Sequence, residues 1–143
     1  MFRVTRRYQF AASHRLHSSQ LSDSENQALY GKCNNPFGHG HNYVVEVTAR
    51  GPLDESGRAV DPEQLDALVQ RQVLTPLAYR NLNLDVASFE GIVPTTENLA
   101  VEICGRLKRN WSSEFPGEWP KLDGVRIGET ARNIFEVQAN EID

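Results

Sequence analysis

His39-Gly40-His41 sets two imidazoles two residues apart. On a β-strand, residues i and i+2 point to the same face, so the two rings project together. The glycine between them permits close approach of another backbone. A third imidazole, His14, ends an earlier segment with strand character. If that strand and the one opened by His39 pair antiparallel through the intervening loop, His14 lies beside His39 and His41. Three neutral imidazoles with no fourth protein ligand match a catalytic zinc with an open position, where the metal polarises a substrate oxygen as a Lewis acid. An H-x-H pair also arises by chance, and then serves as a hydrogen-bonded pair with no metal. His17, three residues beyond His14, reads as a supporting or surface residue and not as a ligand. No histidine follows His41, so chemistry that needs a further imidazole must find it in the N-terminal third.

Cys33 precedes His39 by six residues, in a polar turn. A thiol near a divalent metal has its pKa lowered and becomes a candidate base or nucleophile. The bland alternative is a small buried hydrophobe, which is how Cys104 reads on the apolar stripe of a helix.

The elements that must hold these residues follow from periodicity. Phe2, Val4, Tyr8, Phe10 and Ala12 share one parity and predict a half-buried strand, interrupted on its apolar face by Arg6. Residues 18–32 are polar and read as a loop with a short helix over Ser24–Tyr30. The run from His41 to Ala49, rich in Val, predicts a second strand that pairs with the first. Asp61-Pro62 reads as a helix start, and Pro76 predicts a kink in that helix's last turn. Residues 81–90 read as a connection. Thr96 is the predicted N-cap of a second long helix, with Leu99, Ala100, Ile103, Cys104 and Leu107 as its buried stripe. Two closing strands, around Leu122–Ile127 and Ile134–Val137, flank a Thr130–Asn133 turn. The order β-β-α-α-β-β predicts an α+β fold: a four-stranded antiparallel sheet with two helices on one face, in a single domain over residues 1–143.

Composition narrows the function classes. The chain has 143 residues, 39% of them hydrophobic and 24% charged, with 15 Lys and Arg against 19 Asp and Glu. A net charge of −4, and no basic cluster longer than Lys108-Arg109 with Arg106 nearby, argue against a nucleic-acid partner. No apolar run approaches the roughly 20 residues of a membrane span. Two cysteines are too few for a disulfide framework, and the expected location is the cytoplasm.

Longer motifs sharpen the picture. Phe10-Ala11-Ala12-Ser13-His14-Arg15-Leu16-His17 and Gly31-Lys32-Cys33-Asn34-Asn35-Pro36-Phe37-Gly38-His39-Gly40-His41-Asn42-Tyr43 resemble the signature of the 6-pyruvoyl tetrahydropterin synthase family. The resemblance continues through Asn81-Leu82-Asn83-Leu84-Asp85-Val86, Pro94-Thr95-Thr96-Glu97-Asn98-Leu99 and Glu129-Thr130. In the related 6-carboxytetrahydropterin synthases the cysteine lies two residues closer to the His-Gly-His, so the pyruvoyl branch is the better match. The resemblance implies a tunnelling fold whose trimers close a barrel and stack as a homohexamer, a dimer of trimers, with sites between subunits. It implies zinc on His14, His39 and His41, and Cys33 as the base. It implies Glu129 as anchor of the pterin's guanidine-like edge, with Thr95 and Thr96 beside the ring. The implied substrate is a small pterin, 7,8-dihydroneopterin triphosphate, with Arg15, Lys32 and Arg80 as candidates for its phosphates.

One element departs from the family pattern. Members carry Asp-His just before the Asn-Leu element, completing a proton relay with the cysteine. Here these positions are Ala78 and Tyr79. Alanine cannot titrate, and a tyrosine is a usable acid but a poor base at neutral pH. The expectations are therefore a zinc-dependent lyase with a relay through Tyr79 or His17, or altered side-chain chemistry such as cleavage or epimerisation. A catalytically silent pterin-binding scaffold is the reading from a different class.

Overall fold

The computed structural model describes residues 1–143. Four strands form one antiparallel sheet in the order β1 (Phe2–His14), β2 (His39–Gly51), β3 (Lys121–Gly128), β4 (Ile134–Gln138). Between β1 and β2 lie helix α1 (Asp23–Tyr30) and a 3-10 turn at Gly31–Asn34. Ser22 and Glu25 form a reciprocal capping box at the start of α1.

The predicted strand is not broken at Arg6. Arg6 pairs with Val47 and keeps core-facing parity because α2 (Pro62–Val69) supplies a partner. Its guanidinium donates to Asp66 at 3.0 and 2.6 Å, and the Tyr8 hydroxyl donates to Asp66 Oδ1 at 2.6 Å. A charge can sit on that face because a carboxylate is fixed opposite it.

Pro76 acts differently from a simple kink. The chain passes from α2 through a π-helical turn at Gln70–Leu74 into a separate short turn α3 (Thr75–Leu77) that holds Pro76. A wider turn ahead of the proline accommodates the missing N–H and the ring's clash with the preceding turn. The segment read as a connection is also partly helical. Asn81 caps α4 (Leu82–Asp85) by accepting from Asn83 and Leu84 N–H, and a 3-10 turn follows at Ala87–Phe89.

The long helix α5 (Thr96–Glu114) is capped by Thr95, whose hydroxyl accepts from Asn98 N–H, and not by Thr96. Thr96 is instead the first helical residue and is buried. The expected stripe is present: Leu99, Ala100, Ile103, Cys104 and Leu107 are buried. They share one apolar core with Val45, Val47, Val125 and Ile127 of the sheet and with Leu65 and Leu68 of α2.

The opposite face of the sheet is polar. Glu46 lies between Arg7 and Arg126 at 3.0 and 3.6 Å, and Asp123 between Arg3 and Arg50 at 3.0 and 3.3 Å. The sheet is open, with β1 and β4 at its edges. At its C-terminal end the β1 edge is partly covered. Tyr79 N–H donates to Ala11 O at 2.6 Å, Ser13 N–H donates to Arg80 O at 3.0 Å, and Ser13 bridges Asn81 in parallel. No helix is long and apolar enough to cross a membrane.

Candidate metal centre

The register of the first hairpin builds the site. Ala12 faces His41 and His14 faces His39, so three imidazoles share the helix-covered face at one end of the sheet. Their ring centroids are 4.9 Å (His14 to His41), 5.5 Å (His14 to His39) and 4.4 Å (His39 to His41) apart. Gly38 makes the close return possible. Its φ is +68°, and a Cβ there would collide with the His14 carbonyl.

Cys33 joins from the 3-10 turn, its Sγ 2.9 Å from His39 Nε2. One ligand atom from each of His14, Cys33, His39 and His41 falls within 4.8 Å of the others. Glu129, directly after β3, brings Oε1 to 3.2 Å from His41 Nε2 and 3.9 Å from His14 Nε2.

The donor set suits a divalent cation. His14 Nδ1 lies 2.9 Å from the Pro94 carbonyl, which can only accept, so Nδ1 carries the proton and Nε2 presents a lone pair. His14 Nε2 and His41 Nε2 are buried and have no hydrogen-bond partner. Leaving two such nitrogens unpaired costs free energy that a bound cation would recover. Two or three imidazoles with a thiol nearby are ligands that zinc favours.

Burial governs the titrations. It lowers the pKa of His14 and of His41, and the Glu129 carboxylate pushes both partly back up. Burial also raises the Cys33 thiol above its ordinary value, and Glu129 adds to the rise. The protein by itself therefore opposes the thiolate, and any lowering at Cys33 must come from a cation.

The other predicted residues divide. Thr95 spends its hydroxyl on the cap of α5. Thr96 is 3% exposed, and its hydroxyl has no partner. His17 stays outside the cluster, with Nδ1 3.0 Å from the Asn34 side-chain amide. Arg15 is held by its Nε donating to Asn34 O at 3.3 Å, while Lys32 and Arg80 are exposed. Ala78 packs against the core. Tyr79 adopts φ +60° and is 89% exposed. A non-glycine residue in the left-handed region carries strain, and here backbone bonds to β1 hold it there.

Three supports escaped the sequence reading. Tyr43, fully buried, places its hydroxyl 3.3 Å from His14 Nδ1. Pro94 contributes a carbonyl, which no side-chain motif reveals. Asn83 accepts from Arg15 N–H at 2.7 Å and donates to Arg15 O at 2.8 Å, clamping the chain just past His14.

An open four-stranded antiparallel sheet with helices on one face and a histidine cluster at the end of its first hairpin defines a tunnelling-fold protein. The family model for 6-pyruvoyl tetrahydropterin synthase matches residues 3–140. The chain is 46% identical over 132 residues to a 6-pyruvoyl tetrahydrobiopterin synthase of Poecilia reticulata, covering 92% of this chain and 86% of that one. It is 48% identical over 107 residues to the Homo sapiens protein of that name, covering 74% of each. The solved structure of Caenorhabditis elegans 6-pyruvoyl tetrahydropterin synthase matches with a TM-score of 0.86 at 40% identity, over 96% of this chain and 94% of that one. The chain belongs to the 6-pyruvoyl tetrahydropterin synthase family.

The burial argument has a measurable consequence in metal-free protein. NMR titration should show His14 and His41 protonating below the ordinary histidine value of about 6.5. Glu129→Gln should lower both further, because the carboxylate favours their charged forms. Since the folded-state pKa lies below the unfolded one, the unfolded chain takes up protons first. Stability is full above about pH 6.5 and falls as the pH drops through that value. Titration of both rings at or above the free value would contradict the assignment.

Proposed function

We propose that the chain is a zinc-dependent lyase of the 6-pyruvoyl tetrahydropterin synthase type, acting on the side chain of 7,8-dihydroneopterin triphosphate or a close relative. The observation that carries this reading is the convergence of His14, His39 and His41 with Cys33, two of the ring nitrogens being buried without partners. Family membership supplies the pterin. Two further readings remain within reach of experiment: altered side-chain chemistry such as cleavage or epimerisation, and a silent pterin-binding scaffold. Both draw on one observation, the absence of a titratable group at Ala78 and the outward placement of Tyr79.

In the mechanism, His14, His39 and His41 would hold the metal, and the Pro94 carbonyl keeps His14 in the tautomer that leaves Nε2 free. Zinc, when bound there, polarises the oxygens of the substrate side chain. Glu129 orients the pterin by accepting two parallel N–H bonds from its planar edge. Cys33 takes the proton from a side-chain carbon as triphosphate leaves. Tyr79 points into solvent from the covered end of the β1 edge and makes no side-chain bond to its own cluster. Its role as proton donor is therefore played toward a neighbouring copy, in an assembly where edge strands pair between subunits. Pairing those edges also removes the exposed strand rows of β1 and β4. With Ala78 unable to titrate and Tyr79 a usable acid but a poor base, the conventional reaction should be weak by about 10²–10⁴.

Three outcomes test this reading. Purified protein should hold about one zinc per chain, and His39→Ala or His41→Ala should lose it with the fold retained by circular dichroism. Full occupancy after both replacements would end the metal assignment. Native mass spectrometry should give a multiple of three subunits, six being expected, and a stable monomer at micromolar concentration would contradict the assembly. Incubation with 7,8-dihydroneopterin triphosphate, read by mass, should show weak or absent pyruvoyl product. The double change Ala78→Asp and Tyr79→His should raise that product, and Cys33→Ala should abolish whatever turnover the natural chain has. Robust pyruvoyl synthesis by the natural chain would show that its relay is complete. No turnover, with no effect of Cys33→Ala on any property, would make it a binder.

A further inference from the structure

Glu129 is placed for two incompatible tasks. Its backbone is fixed where β3 turns toward β4: Glu129 N–H donates to Asn133 O at 3.1 Å. The Thr130 hydroxyl accepts from Arg132 and Asn133 N–H at 3.2 and 3.1 Å. These bonds fix the turn's backbone, and the Glu129 side chain, 15% exposed, makes no hydrogen bond that would tie it to the turn. Its Oε1 faces His41 Nε2 at 3.2 Å and His14 Nε2 at 3.9 Å. The His14 proton is committed to Pro94 through Nδ1, so a carboxylate oxygen faces an imidazole lone pair. That contact is repulsive for the neutral ring and is relieved by a positive charge at Nε2, from a proton or from a metal cation. Around zinc, tetrahedral N and O ligands are about 3.3–3.5 Å apart, as follows from metal–ligand bonds of about 2.0–2.2 Å. The two Glu129 distances bracket that spacing. Cys33 approaches the same cluster beside His39 and is the competing fourth group.

We propose that Glu129 closes the metal site of the ligand-free protein: its carboxylate fills the position that the three imidazoles leave open, and a ligand's planar amidine-like edge draws it off. This rests on reading His14, His39 and His41 as metal ligands. The exchange breaks one metal–carboxylate bond and forms two parallel N–H···O bonds to the incoming edge. No proton or electron changes hands. Recognition of the ring at one end of the substrate thereby opens the coordination position needed at the other. A compound with side-chain oxygens but no amidine-like edge meets a closed site, so Glu129 acts as a specificity gate as well as an anchor.

Cobalt(II) in place of zinc makes the coordination visible. The visible absorption of the cobalt protein is compared for the natural chain, Glu129→Gln and Glu129→Asp, each with and without isocytosine. Isocytosine carries the 2-amino-4-oxopyrimidine edge but no side chain. Without it, both variants should differ from the natural chain in the same way, because glutamine ligates poorly and aspartate is too short to reach. Cobalt affinity of the ligand-free variants should be weaker on the order of tenfold. Isocytosine at saturation, its binding verified by calorimetry, should shift the natural spectrum toward that of the variants and leave theirs unchanged. Identical ligand-free spectra for all three proteins would overturn the proposal, as would an aspartate variant that matches the natural chain, which would reduce Glu129 to a charge effect. A natural spectrum unmoved by saturating isocytosine, or no isocytosine binding, would overturn the exchange. A thiolate-to-cobalt band lost in Cys33→Ser, with no effect of Glu129→Gln, would give the position to sulfur and overturn the proposal. Failure of cobalt to bind at one per chain would instead strike down the metal reading beneath it. Circular dichroism melting of both Glu129 variants separates these outcomes from unfolding.

Discussion

Two buried imidazole nitrogens without a hydrogen-bond partner are the constraint on which the site depends. His14 Nε2 and His41 Nε2 are buried and unpaired, an arrangement that costs stability in the protein alone. It persists because the surroundings leave the rings no alternative. The antiparallel register sets His14 opposite His39, Gly38 lets the returning chain pass close to the His14 carbonyl, and Pro94 fixes the His14 tautomer. Asn83 holds the backbone immediately beyond. A centre pre-shaped in this way would lose little freedom on binding a cation.

The remainder of the chain keeps that end of the sheet rigid. The core of α5, α2 and the inner sheet face is mainly apolar, and away from the histidine cluster Arg6 and Tyr8 meet Asp66 at its margin. That network ties helix to sheet at a defined position. The polar face carries alternating charges, with Glu46 and Asp123 each flanked by two arginines. Such a face is compatible with water, so the helices cover only one side. The two unpaired edges leave the single chain with strand rows that a partner sheet could complete.

The histidine–cysteine cluster and Tyr79 occupy different parts of the structure. Cys33 and the imidazoles sit together on the inner face, whereas Tyr79 stands exposed on a strained backbone tied to the opposite edge of β1. Relatives of this chain are similar over most of its length, so the frame around Ala78 and Tyr79 is that of the family. The strain at Tyr79 is borne by backbone hydrogen bonds and is independent of the side chain's chemistry. The position can therefore change its side chain without altering the fold.

Periodicity and local motif determined the strands of the first hairpin, the buried stripe of α5, the α+β class and the grouping of His14, His39, His41 and Cys33. Each of these depends on residues close in sequence or on a simple antiparallel return. Where the sequence reading missed, the decisive partner was distant. Arg6 looked like an interruption until Asp66, 60 residues on, met it. Thr95 and not Thr96 caps α5, a one-residue difference that only backbone geometry resolves. Residues 82–85 became helical because Asn81 caps them and their chain is clamped to Arg15, contacts with no local signature. At the site, the motifs supplied the imidazoles and the thiol, but the tertiary structure alone decided their protonation and company. The Pro94 carbonyl, the Tyr43 hydroxyl and the inward swing of Glu129 come from segments far apart in the chain. A ring nitrogen's state is set by what touches it in space, and sequence order does not record that.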